Sequence, residues 1–421
     1  MKVAVVAEFY PRAADPVLGL WAHRQAIAAR DAGADVRVLV LHRPLPSLAA
    51  ARGGPAAAAR ATAHALSQPP RATLDGIEVA YVPFLAPPRP ATYGSWGRWA
   101  AGPLAVALRA LRRRFAFDLV HAHNAVPAGE AVRRAGLRAP FAVSVHGGDV
   151  FHTVPRSAAG AEAVRAALGR ARLVIANSAG IEARCRVLGA RATRVVRLGS
   201  DLPAARAAQY PAPTVVTTGH LVARKRHADV LRAVALLADR HPALRYLVIG
   251  DGPELARLRA LAGELGVADR TDFAGQLPGG EALARMRRAT LFAMPSTDEA
   301  FGVAYVEAMA GWLPAIGAEG EPGPQEIVAA GGGEPTPTGG RGMTLVAPGD
   351  AAALAAAIDA LLADGAALRA AGDQARATVE RAFSWDSCAA ATVAAYEAAL
   401  APVAPARAPA AASRTSGGVS S

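Results

Sequence analysis

Cysteine, lysine and aromatic residues are scarce in this chain of 421 residues. The two cysteines, Cys185 and Cys388, lie far apart and form no Cys-x-x-Cys pair, so the sequence has no redox motif and requires no oxidising compartment. Aromatic residues make up 5% of the chain, and no run of basic residues is interleaved with them. A surface for stacking bases is therefore poorly supported, and we expect no nucleic-acid partner.

Long apolar runs are missing as well. No strongly apolar stretch approaches the roughly 20 residues that cross a bilayer. Glu8 ends the first apolar run, which indicates a strand rather than a signal peptide. We therefore expect a cytoplasmic protein. Its formal net charge of +12 suits anionic ligands or anionic surfaces.

The chain does contain short apolar runs that alternate with helical patterns, which is typical of parallel α/β domains. This alternation lapses into Pro- and Ala-rich sequence at 199–213, and the length favours two domains. We expect domains at 1–205 and 213–383, a last helix at 384–400 and a disordered tail at 401–421.

Histidines mark the predicted carboxyl ends of two strands in the first half. His121 and His123 end one strand and are followed by Asn124, and His146 ends the next strand, just before Gly147. Ligands of open α/β sheets bind at this edge. The alternative for His146 is a buried core histidine. His121 and His123 have no third partner at metal-ligand spacing, so we expect no metal.

Two carboxylates are the most informative feature of the second half. Glu299 precedes a predicted helix at 303–311, and Glu307 lies inside that helix. Acids at the mouth and on the flank of one helix can hold two parts of a polyhydroxylated ligand, because each offers two acceptor oxygens. The alternative is two solvated glutamates on an Ala-rich helix.

A basic cluster, Arg224 and Lys225, follows a predicted strand end and Gly219. Only two of the 46 basic residues are lysines, Lys2 and Lys225, which indicates that a compact ammonium group is needed at position 225. An arginine beside a lysine near a helix N-terminus suits a diphosphate. The alternative is a solvated, basic start of a helix.

Together these segments resemble the retaining glycosyltransferases of family 4, which have the GT-B fold: two Rossmann-like, doubly wound parallel-sheet domains that face a cleft. The resemblance covers Val3 to about Leu400, and the segment from Phe9 to Gln25 is similar to TuaC-like enzymes of polysaccharide biosynthesis. The motifs that carry it are His-Gly-x-Asp at 146–149, Gly-x-Leu-x-x-Arg-Lys at 219–225, Gly-Asp-Gly-Pro at 250–253 and Glu-x7-Glu at 299–307.

The resemblance implies a role for each candidate residue. Arg224 and Lys225 would bind the diphosphate of a nucleotide-sugar donor. Glu307 would hold its ribose, Glu299 would face the transferred sugar, and His146 would lie beside the reacting centre. The implied catalytic residues are His146, Glu299, Arg224 and Lys225; the further donor contacts are Gly275, Gln276, Leu277, Phe301 and Gly302; the acceptor side holds Gly19, His121, His123 and Asn124.

The resemblance also assigns the domains. Residues 1–205 would form the acceptor-side domain and 213–383 the domain that binds the donor nucleotide, and the helix at 384–400 would cross back to the first domain. The nucleotide sugar is a co-substrate, so we expect no cofactor. Arg224 and Lys225 would make a metal unnecessary, and no Asp-x-Asp motif occurs to bind one.

We therefore expect a retaining enzyme that moves a sugar from a UDP- or GDP-sugar to a glycan or polyprenyl-linked acceptor in polysaccharide or glycoconjugate biosynthesis. Two alternatives share the same fold: a sugar-nucleotide epimerase or hydrolase, and a non-catalytic nucleotide-sugar sensor. Full-rate release of sugar without an acceptor would favour the first alternative. Intact cellular function of a Glu299→Ala variant would favour the second.

A basic amphipathic segment at 96–114, with Trp99 near its start and Arg112 to Arg114 at its end, has two interpretations. It packs on the first sheet, or it rests on an anionic membrane, where arginine side chains meet lipid phosphates. Both hold if packing leaves the arginines outside. The second would place the protein peripherally on the inner face of the plasma membrane.

Overall fold

Short buried strands recur along the whole chain. The structure is a computed structural model that describes residues 1–45, 52–89, 92–331 and 342–402. Its strands are β1 (Lys2–Ala7), β2 (Asp35–His42), β3 (Arg71–Leu74), β4 (Ile77–Pro83), β5 (Leu119–His123), β6 (Phe141–Val145), β7 (Leu173–Ala176), β8 (Thr193–Val195), β9 (Thr214–Thr218), β10 (Arg245–Ile249), β11 (Thr271–Gly275), β12 (Leu291–Ala293), β13 (Ala315–Ala318) and β14 (Met343–Val346).

Helices separate most of these strands. They are α1 (Leu20–Asp31), α2 (Pro55–Leu66), α3 (Trp96–Arg114), α4 (Glu130–Ala135), α5 (Ala158–Arg170), α6 (Ala179–Val187), α7 (His227–Leu236), α8 (Leu255–Glu264), α9 (Gly279–Met286), α10 (Val303–Ala310), α11 (Pro322–Ala330), α12 (Ala351–Leu362), α13 (Gly365–Ala382) and α14 (Trp385–Leu400). Shorter helical turns lie at Tyr93–Ser95, Ala125–Gly129, Asp149–Thr153, Val154–Arg156, Ala223–Lys225 and Ala268–Arg270.

The strands form two sheets, one in each half of the chain. The first sheet has the order β3-β4-β2-β1-β5-β6-β7-β8, and the second has the order β11-β10-β9-β12-β13-β14. Among the described strands, only β3 runs antiparallel to its neighbour. Two parallel α/β domains, as the sequence predicted, are confirmed.

Both faces of each sheet are covered because the central strands are apolar on both sides. All five residues of β5 and of β6 are buried. Leu104 and Leu108 of α3 pack on one face of the first sheet, and α1 and α14 pack on the other. The second sheet lies in the same way between two apolar clusters. Because both faces of each sheet are covered, polar side chains that contact a ligand are expected at the ends of the strands.

The chain passes between the domains at two adjacent places. The Ser200 amide donates to the Phe383 carbonyl at 2.8 Å, and Ser200 pairs with Ser384 in a parallel bridge. A Cβ on Gly199 would lie 2.6 Å from the Trp385 nitrogen, so only glycine lets the two crossings approach this closely. The two connections therefore behave as one narrow junction.

The last helix, α14, packs on the first domain although it follows the second. Cys388, Ala395 and Tyr396 belong to the apolar cluster under α1. The Gln25 side chain donates to Thr392 Oγ1 at 3.0 Å, and the Tyr396 hydroxyl lies 2.9 Å from His121 Nδ1. The helix thus completes the core beneath β5.

Several elements were not predicted. Helix α2 and α13 lie in Ala-rich sequence without a clear apolar stripe, α11 begins Pro-Gly-Pro, and β3 is a short edge strand. The predicted disordered tail falls outside the described residues except for Ala401 and Pro402. In the described part of the chain, no single helix is long and apolar enough to cross a membrane; only α12 and α13 together pass that test, and they meet at a bend of 104°.

Candidate active site

Lys225 and Glu299 form an ion pair at the carboxyl end of the second sheet. Lys225 Nζ lies 2.6 Å from Glu299 Oε2, and both side chains are almost enclosed. The stem of Lys225 passes 3.8 Å from the place where a Cβ on Gly219 would stand. The lysine that stands out in the composition is therefore held by the first acid of the Glu-x7-Glu motif.

Three further groups fix Glu299. Ser296 Oγ donates to Glu299 Oε2 at 3.0 Å, and the Tyr305 hydroxyl lies 3.2 Å from Ser296 Oγ. The Glu299 amide donates to Glu321 Oε2 at 2.9 Å. Burial opposes ionisation of Glu299, but the attraction of Lys225 and the hydrogen bonds outweigh it, so the pKa of Glu299 is lowered. The carboxylate is ionised and rigidly positioned at neutral pH.

Arg224 lies beside this pair. Its Nη1 is 3.9 Å from Glu299 Oε2, which is too far for a good hydrogen bond. That nitrogen is buried and has no hydrogen-bond partner among the described residues. The Arg224 carbonyl accepts from the Thr297 amide at 2.8 Å, which joins the two loops that carry the site. The guanidinium therefore has donor capacity left for an anion.

Three histidines lie in a row at the facing edge of the first sheet. His123 Nδ1 and His146 Nε2 are 3.0 Å apart, and the rings of His121 and His123 are 4.4 Å apart. Burial lowers the pKa of His146 to about 4 and that of His121 to about 3, and it lowers the pKa of His123 as well. All three rings are neutral at pH 7. His146 Nδ1 is buried without a partner among the described residues.

The two domains touch between these groups. A Cβ on Gly147 would lie 2.4 Å from the Ala300 Cβ, and the φ of Gly147 is +102°, in the region that favours glycine. Ser178 Oγ donates to the Ala300 carbonyl at 2.8 Å. Because Gly147 follows His146 and Ala300 follows Glu299, the histidine turn and the ion pair lie on opposite sides of one seam.

A second set of contacts locks the same seam. Glu326 of α11 accepts from the Ala179 amide at 2.8 Å and from Arg197 Nε at 2.7 Å. A Cβ on Gly180 would lie 2.7 Å from Pro322, so α6 and α11 pack closely. Ser178 has two roles: it caps α6 and it also bonds across the seam.

Glu307 lies on α10, away from Lys225 and close to the junction between the domains. Burial raises the pKa of Glu307 to about 7; the Asp201 charge adds to the rise and Arg287 opposes it. Arg287 donates to the Asp201 carbonyl at 3.2 Å, and Arg24 of α1 pairs with the Asp201 carboxylate. The second acid is thus half-buried among two arginines and one aspartate.

At the N-terminus of α10, backbone amides rather than side chains are available to a ligand. Gly302 has a φ of +86° and caps the helix, and no side chain of the described residues bonds there. A Cβ on Gly302 would lie 2.3 Å from the Tyr305 ring, so the position requires glycine. The Phe301 side chain packs in the core, 5.7 Å from Phe383. Only the amides of Phe301 and Gly302 therefore remain for a ligand.

The predicted donor contacts Gly275 to Leu277 form a loop that begins at the last residue of β11, at the same edge of the sheet. Gly275 has a φ of +71°, and its carbonyl accepts from the Gly250 amide at 2.8 Å. Gln276 is exposed and Leu277 is half-buried against the core. The loop lies at the end of strand β11, three strands from β12, which precedes Glu299.

On the first domain, a cavity of about 210 Å³ lies next to the histidine turn. Phe9, Asn124, His152 and Arg156 are among its lining residues. Gly19 does not line it, but a Cβ on Gly19 would lie 2.2 Å from the Phe9 carbonyl, so Gly19 lets the first loop fold against Phe9. Of the predicted acceptor-side residues, Asn124 faces this cavity directly.

His121 requires a correction. It is completely enclosed, and both ring nitrogens are used, by Tyr396 at 2.9 Å and by Ser144 at 2.7 Å. A side chain buried within the sheet cannot line the acceptor side. His123 is nearly as buried and lies behind His146. Only His146 of the three is accessible enough to meet a ligand.

Comparison with known proteins identifies the family. The Glycosyltransferase Family 4 profile matches residues 18–203, and the profile of Glycosyl transferases group 1 matches residues 203–378. The chain is 31% identical over 296 residues to 2-deoxystreptamine glucosyltransferase from Streptomyces kanamyceticus, covering 63% of this chain and 73% of that protein. The chain belongs to glycosyltransferase family 4.

Solved structures agree with the GT-B fold of this family. Sucrose-phosphate synthase from Thermosynechococcus elongatus superposes with a TM-score of 0.73 at 22% identity, covering 94% of this chain and 98% of the other. HepE from Anabaena, in complex with UDP-glucose, gives a TM-score of 0.68 at 20% identity and covers 94% and 99%. Among the sequence relatives, exopolysaccharide phosphotransferase SCO2592 from Streptomyces coelicolor is matched over only 16% of its own length.

Sequence reasoning on this family 4 glycosyltransferase missed the groups that hold its candidate residues. Ser296 and Tyr305 fix Glu299, and Glu321 bonds to its amide. Ser296 and Glu321 lie outside the motifs that identify the candidate residues, and neither carries a local pattern of its own. In the described residues, no group of three or more His, Cys, Asp and Glu is placed to hold a metal; independence from metals stays a prediction.

Proposed function

We propose that this protein transfers a sugar from a UDP- or GDP-sugar, with retention of configuration, to a glycan or lipid-linked acceptor of polysaccharide or glycoconjugate biosynthesis. The observation that carries this proposal is the buried Arg224 Nη1, which lacks a partner beside the Lys225–Glu299 pair. A buried donor without an acceptor costs free energy, and an incoming phosphate oxygen would relieve that cost.

Arg224 and Lys225 would neutralise the diphosphate as it leaves. Breaking the bond between sugar and phosphate places negative charge on the departing oxygen, and two fixed cations in an enclosed seam stabilise that charge strongly. The first-turn amides at Phe301 and Gly302 would add to this at the start of α10. Because these charges are permanent, the proposed reaction needs no metal.

Glu299 serves better as a positioning group than as a nucleophile. Its Oε2 accepts from Ser296 and faces Lys225 at 2.6 Å, so its negative charge is already compensated. A retaining reaction would then proceed with attack from the face that the diphosphate leaves, and the leaving phosphate oxygen would take the acceptor proton. The sugar hydroxyls would meet the remaining oxygen of Glu299.

His146 would act as a neutral hydrogen-bonding group beside the sugar. With a pKa of about 4 it carries no charge at pH 7, so it adds no repulsion to the positive charge that develops on the sugar. If His123 Nδ1–H donates to His146 Nε2, then His146 Nδ1–H is free to donate to a sugar hydroxyl.

The acceptor would enter from the first domain, through the cavity next to Asn124. Helix α3 supports a membrane-bound acceptor: Leu104 and Leu108 pack inward, while Trp99 and Val106 are 51% and 66% exposed beside the exposed Arg98. Packing and an outward basic face therefore coexist on this helix. Contact with anionic lipid is part of the proposal, as is the TuaC-like character of the chain.

The decisive experiment uses the only two lysines of the chain. Lys225→Met removes one cation from the site and leaves the buried Glu299 without its close partner, which costs up to about 3 to 5 kcal/mol. The double variant Lys225→Met/Glu299→Gln restores a neutral pair and should fold. We expect both to lose turnover by at least about a hundredfold with saturating donor, while Lys2→Met retains full turnover.

The donor is found first, by thermal shift with a panel of UDP- and GDP-sugars, since a bound ligand raises the melting temperature. Turnover is then measured with and without a glycan acceptor. Near-normal turnover of the stable double variant would refute the proposed diphosphate site. Sugar release at the same rate without an acceptor would instead assign the chain to hydrolysis.

A further inference from the structure

A large groove lies at the end of the first domain opposite the active site. It has a volume of about 880 Å³ and lies where β5 to β8 begin, between Val120, Phe141 and Ala192. The active-site histidines stand at the other end of the same parallel strands. Five residues of β5 separate the two, which amounts to roughly 15 Å. The groove is therefore a separate location.

Arginine dominates the lining of this groove. No Asp or Glu occurs among its described lining residues. We call it the arginine groove, after its members Arg133, Arg138, Arg170, Arg172 and Arg191. Arg133 pairs with Glu130 at 2.7 Å, and Arg172 donates to the Ala399 carbonyl at 3.3 Å.

The remaining three arginines are exposed. Arg138, Arg170 and Arg191 make no ion pair with any residue that the structure describes. Apolar side chains such as Val132 and Leu137 form the floor between them. Like charges gathered around an apolar floor repel one another, and a bound anion would remove that repulsion.

The sequence from 403 to 421, which follows the groove residue Pro402, contains Arg407 and Arg414 but no Asp or Glu, so it supplies no acidic side chain to these arginines. The concave shape and the volume match sites for discrete ligands, which typically measure about 300 to 1,000 Å³. Arginine binds phosphate oxygens in pairs, which gives it an advantage over lysine at such a site.

We propose that the arginine groove binds a ligand carrying two or more phosphate groups, independently of the sugar donor. Arg138, Arg170 and Arg191 would contact the phosphates, and Arg172 would hold the end of α14, whose Ala398 forms one wall. The phosphates belong either to a soluble molecule or to a lipid headgroup, and the two sources are separated by experiment.

Isothermal titration with inorganic tripolyphosphate tests the soluble source. The titration is made on the Lys225→Met/Glu299→Gln variant with Arg224→Gln added, so that all three charged side chains of the other proposed phosphate site are neutral. Adding three substitutions in the groove should weaken binding by about tenfold per arginine, and matched substitutions elsewhere should not. The groove set is Arg138→Gln, Arg170→Gln and Arg191→Gln; the matched set, at exposed positions, is Arg165→Gln, Arg259→Gln and Arg369→Gln.

Sedimentation with vesicles tests the lipid source. Vesicles of phosphatidylcholine with cardiolipin, which carries two phosphates per molecule, should carry down the groove set less than the matched set if the ligand is a lipid headgroup, and pure phosphatidylcholine vesicles should carry down neither. Loss of tripolyphosphate binding alone assigns a soluble ligand. If both sets behave alike in both assays, the inference is overturned. The single variant Arg170→Gln should weaken tripolyphosphate binding by about tenfold at an unchanged melting temperature, which excludes unfolding as the cause of the weaker binding.

Discussion

Substitution of Glu307 by glutamine tests the electrostatics of α10 without disturbing its shape. Glu307 is half-buried, and its pKa is raised to about 7, first by burial and then by the nearby Asp201 charge. In the unfolded chain its pKa is the ordinary 4.5. Glutamine has nearly the same size but cannot ionise. The substitution therefore removes one titration and little else.

The sign of the effect follows from the direction of the shift. Below pH 4.5 the Glu307 carboxyl is protonated in both the folded and the unfolded chain, so its ionisation does not affect the free energy of unfolding. As the pH rises from 4.5 to about 7, the carboxyl ionises in the unfolded chain before it does so in the folded chain, and the free energy of unfolding falls. The difference of about 2.5 pKa units corresponds to about 3 kcal/mol. At pH 8.5 the Glu307→Gln variant should be more stable by about this amount.

Thermal unfolding at pH 5 and pH 8.5 measures the effect. A gain of about 3 kcal/mol raises the melting temperature of a domain of this size by about 6 °C or more. We expect that rise at pH 8.5 and a much smaller one at pH 5. The exposed Glu264→Gln variant removes the same charge from the surface of the same domain and should change the melting temperature little at either pH.

Two outcomes would contradict the reasoning. A rise of equal size at pH 5 and pH 8.5 would show that packing, not ionisation, explains it. A rise no larger than that of Glu264→Gln would show that Glu307 is solvated in the folded protein.

The remaining predictions concern the seam between the domains and the donor. Gly147→Ala should reduce turnover by about a hundredfold, because the new Cβ would meet Ala300 and force the two domains apart. Small-angle scattering should then give a larger radius of gyration. The control is Gly189→Ala: Gly189 has a similar φ of +98° but open space around it, so this variant should lose only about 1 to 2 kcal/mol of stability. Ser178→Ala should lower kcat more than Ser157→Ala, which loses a helix cap alone; equal effects on kcat would refute the role of the cross-seam bond. The affinity for the donor should rise as the pH passes through about 7, because Glu307 then ionises and accepts hydrogen bonds from the ribose hydroxyls. In the Glu307→Gln variant, the donor affinity measured by titration should no longer depend on pH in this range.

The sheet strands were the most predictable part of this chain. Strands such as β5 and β9 are short apolar runs that end in a polar residue or a glycine turn, and their predicted bounds agree with the structure. Helix α13 was missed because its core-facing residues are mostly alanine and glycine, which give only a weak apolar stripe. Edge strand β3 was missed because only one of its sides is paired.

The candidate site was predictable where one short motif carries it. Arg224, Lys225 and Glu299 were predicted together, and the structure places both cationic groups within 4.0 Å of the Glu299 carboxylate, at 3.9 Å and 2.6 Å. Contacts across the seam, such as Ser178 with Ala300, join residues that are 122 positions apart and leave no local pattern. His121 misled for the opposite reason: an alternating His-x-His suggests one accessible face, but α14 covers that face from the far end of the chain.

The return of α14 has a practical consequence for dissecting the molecule. A fragment that stops at Leu198 would leave the slot beneath α1 empty and Ala22 and Ala26 open to water. Arg172 holds the end of α14 beside β7, at the edge where Met1 enters β1. β1 and β7 are three strands apart, about 14 Å. A permuted fragment that begins at Trp385 and runs through a short linker into Met1 should therefore fold, whereas simple truncation should yield an aggregating half.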